Sequence, residues 1–155
     1  LSKLEEIGVS LELGPDYVII NSQDVYKSTN IKTAVYPGFP TDLQQPFSVL
    51  LTQSNGKSKV TETIWENRFM HIPYLRELGA DATVKNQTAT IIGPTKFTGT
   101  QVVATDLRAG AAMVAAAFKA DGKTIITNAE HILRGYEDIV EKLSEVGAKI
   151  RIKEI

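Results

Sequence analysis

Three segments of the chain align without gaps: LEEIGVSLEL from Leu4, LRELGADATV from Leu75 and LSEVGAKIRI from Leu143. Each reads as the last turns of an amphipathic helix, a glycine placed to end it (Gly8, Gly79, Gly147), and an alternating run suited to a strand. A helix-to-strand unit that recurs about every 70 residues forces the fold to be assembled from equivalent parts, so repetition constrains this chain more than any single motif.

After the first two copies come turns, Gly14-Pro15-Asp16 and Asn86-Gln87, and then second strands, YVIINS and ATIIG. The third copy stops at Ile155, so its hairpin partner is expected either to be missing or to come from elsewhere. A further match joins Thr41-Asp42-Leu43 to Thr105-Asp106-Leu107. Strands around Val35 and Val103 precede these triplets, and the first copy is longer by PGFP. Helices are expected next, with apolar faces Leu43, Phe47, Leu50, Leu51 and Leu107, Ala111, Val114, Ala115. Then KVTETIW and KTIITNA read as strands, and ENRF and HILRG open further helices carrying Arg68 and Arg134. The expected fold is α/β, built from repeated strand–helix–strand–helix–hairpin units. The end of one unit occupies about 1–22, a full unit about 32–93 and a nearly full one about 99–155, which together make an incomplete domain. NSQDVYKSTNIK (21–32) is polar enough to read as a surface loop. Alanine-rich AGAAMVAAAF (109–118) reads as a close-packed helix.

Composition removes several function classes. The chain of 155 residues has no cysteine, which excludes thiol nucleophiles, thiolate metal sites and disulfides within it and suits a reducing cytoplasm. His71 and His131 are too far apart for metal-ligand spacing, and no phosphate-loop or dinucleotide fingerprint occurs, so neither metal nor cofactor is expected. A net charge of −1 gives no general footprint for nucleic acid or an anionic membrane, and no apolar run approaches spanning length. Leu1 begins directly in the tail of a helix pattern, without an initiator methionine or signal peptide. This leads us to expect a piece of a longer chain.

The charged residues admit two readings each. Thr41-Asp42 and Thr105-Asp106 stand before helices, where Thr or Asp serves as an N-cap. Only Asp42 follows the stiff PGFP, as expected of a carboxylate that must be held accurately to accept a proton from a hydroxyl. Arg68 and Arg134, at strand-to-helix junctions, suit either structural ion pairs or anion recognition beside a helix N-terminus. Asp42, Arg68, Asp106, Arg108 and Arg134 all fall at equivalent junctions, so one end of the fold can gather them as a salt-bridge network or a substrate site. Trp65, the single tryptophan, is read first as core and second as a site rim.

PGFPTDLQ, TETIWENRFMH, ATDLRAGA and HILRGYE, in this order and spacing, closely resemble the enolpyruvyl transferases of peptidoglycan synthesis, over essentially all 155 residues. The resemblance implies a partial inside-out α/β barrel domain, one of two, with the active site between them. It also implies transfer of enolpyruvate from phosphoenolpyruvate to the 3′-hydroxyl of UDP-N-acetylglucosamine with loss of phosphate. Both substrates would be shared with the other domain, which supplies the general acid together with a lysine and an arginine, so these residues alone would not turn over. By motif, Asp42 would contact the sugar nucleotide and act as base, Ile64 and Trp65 would line its site, and Arg134 would hold phosphoenolpyruvate. Arg68, Asp106 and Arg108 would complete the charged wall. The family often has phenylalanine at position 65 and aspartate at 133, here Trp65 and Leu133. Two alternatives remain at this stage: the related shikimate-pathway transferase, and a noncatalytic repeat module that binds partners.

Overall fold

The computed structural model describes residues 1–153. Its main sheet has five strands: β3 (Tyr26–Lys27), β4 (Asn30–Lys32), β5 (Ser54–Thr61), β6 (Asp81–Lys85) and β7 (Thr88–Gly93). Strands β3 and β4 run successively along one edge of β5, both parallel to it, while β7 lies antiparallel between β5 and β6. Helix α1 (Ser2–Glu6) leads into a separate antiparallel hairpin of β1 (Ser10–Leu13) and β2 (Val18–Asn21), and β8 (Gln101–Val103) pairs in parallel with β9 (Ile125–Thr127).

Two parallel pairs are each joined by a crossover helix. The path β4–α2–β5 uses α2 (Gln44–Thr52), and β8–α4–β9 uses α4 (Leu107–Lys119). In both, the chain leaves the carboxyl end of a strand and enters the helix through the segment bearing Asp42 or Asp106. Such strand ends are where open α/β sheets place their ligand crevices.

The helices bury unusual faces. On α2 the buried residues are Gln44, Gln45, Ser48, Val49, Leu51 and Thr52, whereas Leu43, expected on the apolar face, is exposed. The expected apolar stripe is therefore only partly correct, because α2 packs against α4, which buries Ala109, Gly110, Ala112, Met113, Val114 and Ala116. Small side chains let the backbones approach. Ser48 and Thr52 satisfy their hydroxyls within α2, donating to the Gln44 and Val49 carbonyls at 2.8 and 2.6 Å. A Cβ on Gly110 would meet Ile132 Cγ1 at 2.5 Å, so that glycine permits α4 to lie against α5 (Glu130–Leu133). The main core, with Ile31, Leu51, Val60, Leu75, Leu78, Ile91, Phe97 and Met113, fills the space between sheet and helices. A smaller cluster of Ala104, Val114 and Ile132 supports the β8–α4–β9 unit.

The left-handed backbone expected at Gly8, Gly79 and Gly147 is present, with φ between 94° and 114°. Other expectations need correction. Segment 21–32 is not a loop throughout: β3 and β4 lie in it and Ile31 is buried, held by pairing to a strand remote in sequence. No strand surrounds Val35, because β4 ends at Lys32 and the chain turns through the cis Tyr36–Pro37 bond, Gly38 N–H donating to the Val35 carbonyl. KVTETIW is strand only to Thr61, and β5 begins earlier, at Ser54, in a polar stretch whose exposed positions hide its pattern. Helix α3 (Ile72–Glu77) starts beyond ENRF, and α5 ends just before Arg134. After α6 (Ile139–Glu145), residues 148–153 form no strand, having no ladder partner among the described residues. The last two residues of the third unit, expected over about 99–155, lie outside the described residues. No helix of the described residues is long and apolar enough to cross a membrane.

Candidate active site

Asp42 lies in a 3-10 turn (Thr41–Leu43) after the PGFP segment. That segment folds back on itself: Ala34 N–H donates to the Phe39 carbonyl at 2.9 Å, and Phe39 packs edge-on against Phe47 of α2 with ring centres 5.3 Å apart. The Asp42 side chain makes no cap hydrogen bond. Its Oδ1 accepts from Arg68 Nη2 at 2.8 Å and its Oδ2 from Arg108 Nη2 at 3.0 Å. A carboxylate has about four lone-pair sites, so this pairing orients Asp42 and still leaves acceptor capacity.

Asp106 behaves differently. It is the N-cap of α4, its Oδ1 accepting the amides of Arg108 and Ala109 at 2.8 Å each. Its Oδ2 takes the buried Gln45 Nε2 at 3.2 Å. The capping reading thus holds for Asp106 and fails for Asp42. Arg108 also donates from Nη1 to the Tyr136 hydroxyl at 3.0 Å, and Tyr136 and Asp42 push its pKa further up.

Trp65 is exposed, against the first expectation of a core residue, because β5 has ended before it and its ring turns toward solvent. The Arg68 guanidinium stands 5.7 Å from its ring centre, within cation–π range. Ile64, also exposed, does not line the cleft. Arg134 is the C-cap of α5 and makes no side-chain hydrogen bond or ion pair among the described residues. Neither Arg68 nor Arg134 stands at a helix N-terminus, so anion recognition here relies on the guanidinium groups themselves.

Asp42, Trp65, Arg68, Asp106, Arg108 and Arg134 line one cleft of about 290 Å³. Three arginines against two aspartates, one of the latter spent on a cap, favour an anion. Asn67 and Leu107 also line it and escaped sequence reasoning, as did the supports beneath. Fully buried His71 begins α3, and burial pushes its pKa down to about 4 although the Asp106 carboxylate pulls it up. Glu62, at 1% exposure, is a buried carboxylate behind Trp65. Burial alone would raise its pKa, but the Ile64 amide, the Thr33 and Thr41 hydroxyls and the Trp65 amide outweigh this and hold it below the usual value. The only advance signal for Glu62 was its place in TETIW.

Comparison with known proteins puts this α/β chain in the class of enolpyruvyl transferases. It belongs to the family described as EPSP synthase (3-phosphoshikimate 1-carboxyvinyltransferase), which residues 1–143 match. Among curated relatives it is 52% identical over 149 residues to UDP-N-acetylglucosamine 1-carboxyvinyltransferase 2 of Geobacillus kaustophilus, covering 96% of this chain and 35% of that protein. It is 51% identical over 154 residues to the protein of the same name from Clostridium acetobutylicum, covering 99% and 37%. The chain thus spans little more than a third of the relatives it matches. Among solved structures, the enolpyruvyl transferase NikO from Streptomyces tendae superposes with a TM-score of 0.90 at 32% identity, over 97% of this chain and 35% of that one. EPSP synthase from Acinetobacter baumannii, at 16% identity and a TM-score of 0.58 over 81% of this chain and 31% of that one, shares the fold.

Proposed function

We propose that these residues form part of a transferase that moves enolpyruvate from phosphoenolpyruvate to the 3′-hydroxyl of UDP-N-acetylglucosamine, the first committed step of peptidoglycan synthesis. The observation carrying the reading is the Asp42 carboxylate held between Arg68 and Arg108, beside Trp65 and Arg134, which has no ion-pair partner among the described residues, in one cleft. The names of the relatives supply the sugar nucleotide.

Asp42 acts as the base: it accepts the hydroxyl proton as that oxygen adds to C2 of phosphoenolpyruvate while the general acid protonates C3, and the following elimination loses phosphate from C2 and a proton from C3. General bases of this kind contribute roughly 10²–10⁴-fold. Arg134 binds the phosphoenolpyruvate anion, and Arg68 and Arg108 orient Asp42 and favour negative charge in the cleft. Trp65 forms the sugar-nucleotide wall within the cleft, with Ile64 beside it outside the cleft lining. The general acid and the remaining anion ligands come from a second domain, so the 155 residues alone are expected to release no phosphate. The cytoplasm is the proposed compartment, resting on the absence of cysteine and the soluble nucleotide substrate.

The test is phosphate release from phosphoenolpyruvate by the full-length protein carrying this sequence, with either UDP-N-acetylglucosamine or shikimate 3-phosphate as acceptor. Release with the nucleotide sugar alone, and thermal protection by it, is the expected result. Release only with the shikimate ester would replace this reading with the shikimate-pathway one, and release with neither would leave a binding module.

A further inference from the structure

Glu62 is a charged residue that the proposed chemistry does not use. Its carboxylate is buried and has no cationic partner within ion-pair distance among the described residues. Taking an unpaired charge out of water costs several kcal/mol, so its retention demands compensation. Four donors supply it. Oε1 accepts from the Thr33 hydroxyl at 2.8 Å, the Ile64 amide at 2.8 Å and the Trp65 amide at 3.2 Å, and Oε2 accepts from the Thr41 hydroxyl at 2.9 Å.

The location of these donors matters more than their number. Thr33 follows β4 and Thr41 directly precedes Asp42, so Glu62 bridges the two ends of the Tyr36–Pro40 turn. The other two donors are the backbone of the aromatic wall itself. One carboxylate therefore ties the base-bearing loop and the Ile64–Trp65 segment to the end of β5. Thr33 reinforces the joint, because its hydroxyl also accepts the Thr63 amide at 2.8 Å. An ionised acceptor makes shorter bonds of roughly twice the strength of a neutral one, which is what two irregular segments need to keep a fixed separation.

We propose that Glu62 is a positioning residue: its buried carboxylate clasps Thr41 and the Ile64–Trp65 backbone, and so fixes the Asp42 carboxylate relative to the aromatic wall. This rests on the roles assigned to Asp42 and Trp65 above. A misplacement of about 1 Å can cost on the order of 10²-fold in rate, so loosening the clasp reaches turnover without removing any group that touches substrate.

The experiment uses the full-length protein and measures kcat, KM for the nucleotide sugar, and melting temperature for Thr41→Val, Thr41→Ser and Glu62→Gln. Thr41→Val keeps the shape and deletes one bond of the clasp, Thr41→Ser keeps the hydroxyl, and Glu62→Gln removes the charge. The expected result is a fall in kcat of about 10- to 100-fold in Thr41→Val with KM changed less than about threefold, and recovery in Thr41→Ser. Thr41→Val combined with Glu62→Gln should be no slower than the slower single variant, as for residues acting as one unit. Normal kcat in Thr41→Val, or an equal loss in Thr41→Ser, would overturn the clasp, even if Glu62→Gln failed to fold. Asp42→Asn separates the two levels: if it is slow while Thr41→Val is fast, only the clasp fails, and if Asp42→Asn turns over normally, the base assignment fails first.

Discussion

Asp42 Oδ2 and Arg108 Nη2 meet at 3.0 Å although 66 residues separate them in the chain. The contact joins the loop end of one crossover unit to the first turn of the other's helix. Because Asp42 is half exposed and spends nothing on helix capping, its value to the fold is that of surface ion pairs, typically 0.2–1 kcal/mol each.

Asp42→Asn in the full-length protein should therefore lower turnover by roughly 10²–10⁴-fold while shifting the melting temperature by only a few degrees. Turnover near normal with a large fall in melting temperature would reverse the assignment and make the residue structural.

Asp106 should show the opposite balance. Asp106→Ala removes an N-cap with two amide contacts and leaves the buried Gln45 amide without its carboxylate partner, so a loss of about 1–2 kcal/mol is expected. Asp106→Asn keeps the cap and should lose less than half of that, since Asn caps about as well as Asp. Urea midpoints of the two variants measure the difference.

His71 should make the fold acid-sensitive in a defined window. Its folded pKa is depressed from 6.5 to about 4, so the unfolded chain binds the extra proton between those values and stability falls as the pH drops from 6.5 toward 4. The full effect is on the order of 3 kcal/mol. Glu62, also depressed, stabilises above the unfolded carboxylate value and adds a further loss below about 4.5, as pH falls through its folded pKa. His71→Leu should flatten the upper part of the profile and leave the lower part. Unfolding free energies at pH 7, 5.5 and 4 would show it, and an unchanged slope between 7 and 5.5 would mean that His71 is solvated.

Trp65→Ala should raise KM for the nucleotide sugar by about 10-fold while leaving the melting temperature nearly unchanged, because the exposed ring contributes little to the core. Trp65→Phe should stay within about threefold of the parent, since it preserves an aromatic face for Arg68. A large stability loss in Trp65→Ala would return the residue to the core.

The helix–glycine ends of the repeats were legible because capping is local: Gly8, Gly79 and Gly147 announced their conformation through neighbours only a turn away, whereas of the three strands expected after them only the first two formed among the described residues. Grouping the charged junction residues was legible too, since equivalent positions in repeated units arrive at one end of a fold. What escaped was non-local. Ile31 looked like part of a polar loop until β5 paired with its strand, and Trp65 looked like core because nothing in TETIW announces that Glu62 draws the chain out of its ladder. Gln45 carried no signal at all, because a glutamine beside an expected apolar face gives no hint that an alanine-lined helix will close over it.

The two crossover units carry an aspartate at the same place, and only the one at 106 is committed to its helix. PGFP lies on the uncapped side. Position 106 is therefore tied to whether α4 can start, whereas position 42 can change without removing a cap from either crossover helix, so the same repeat position is a structural constraint in one unit and a free variable in the other.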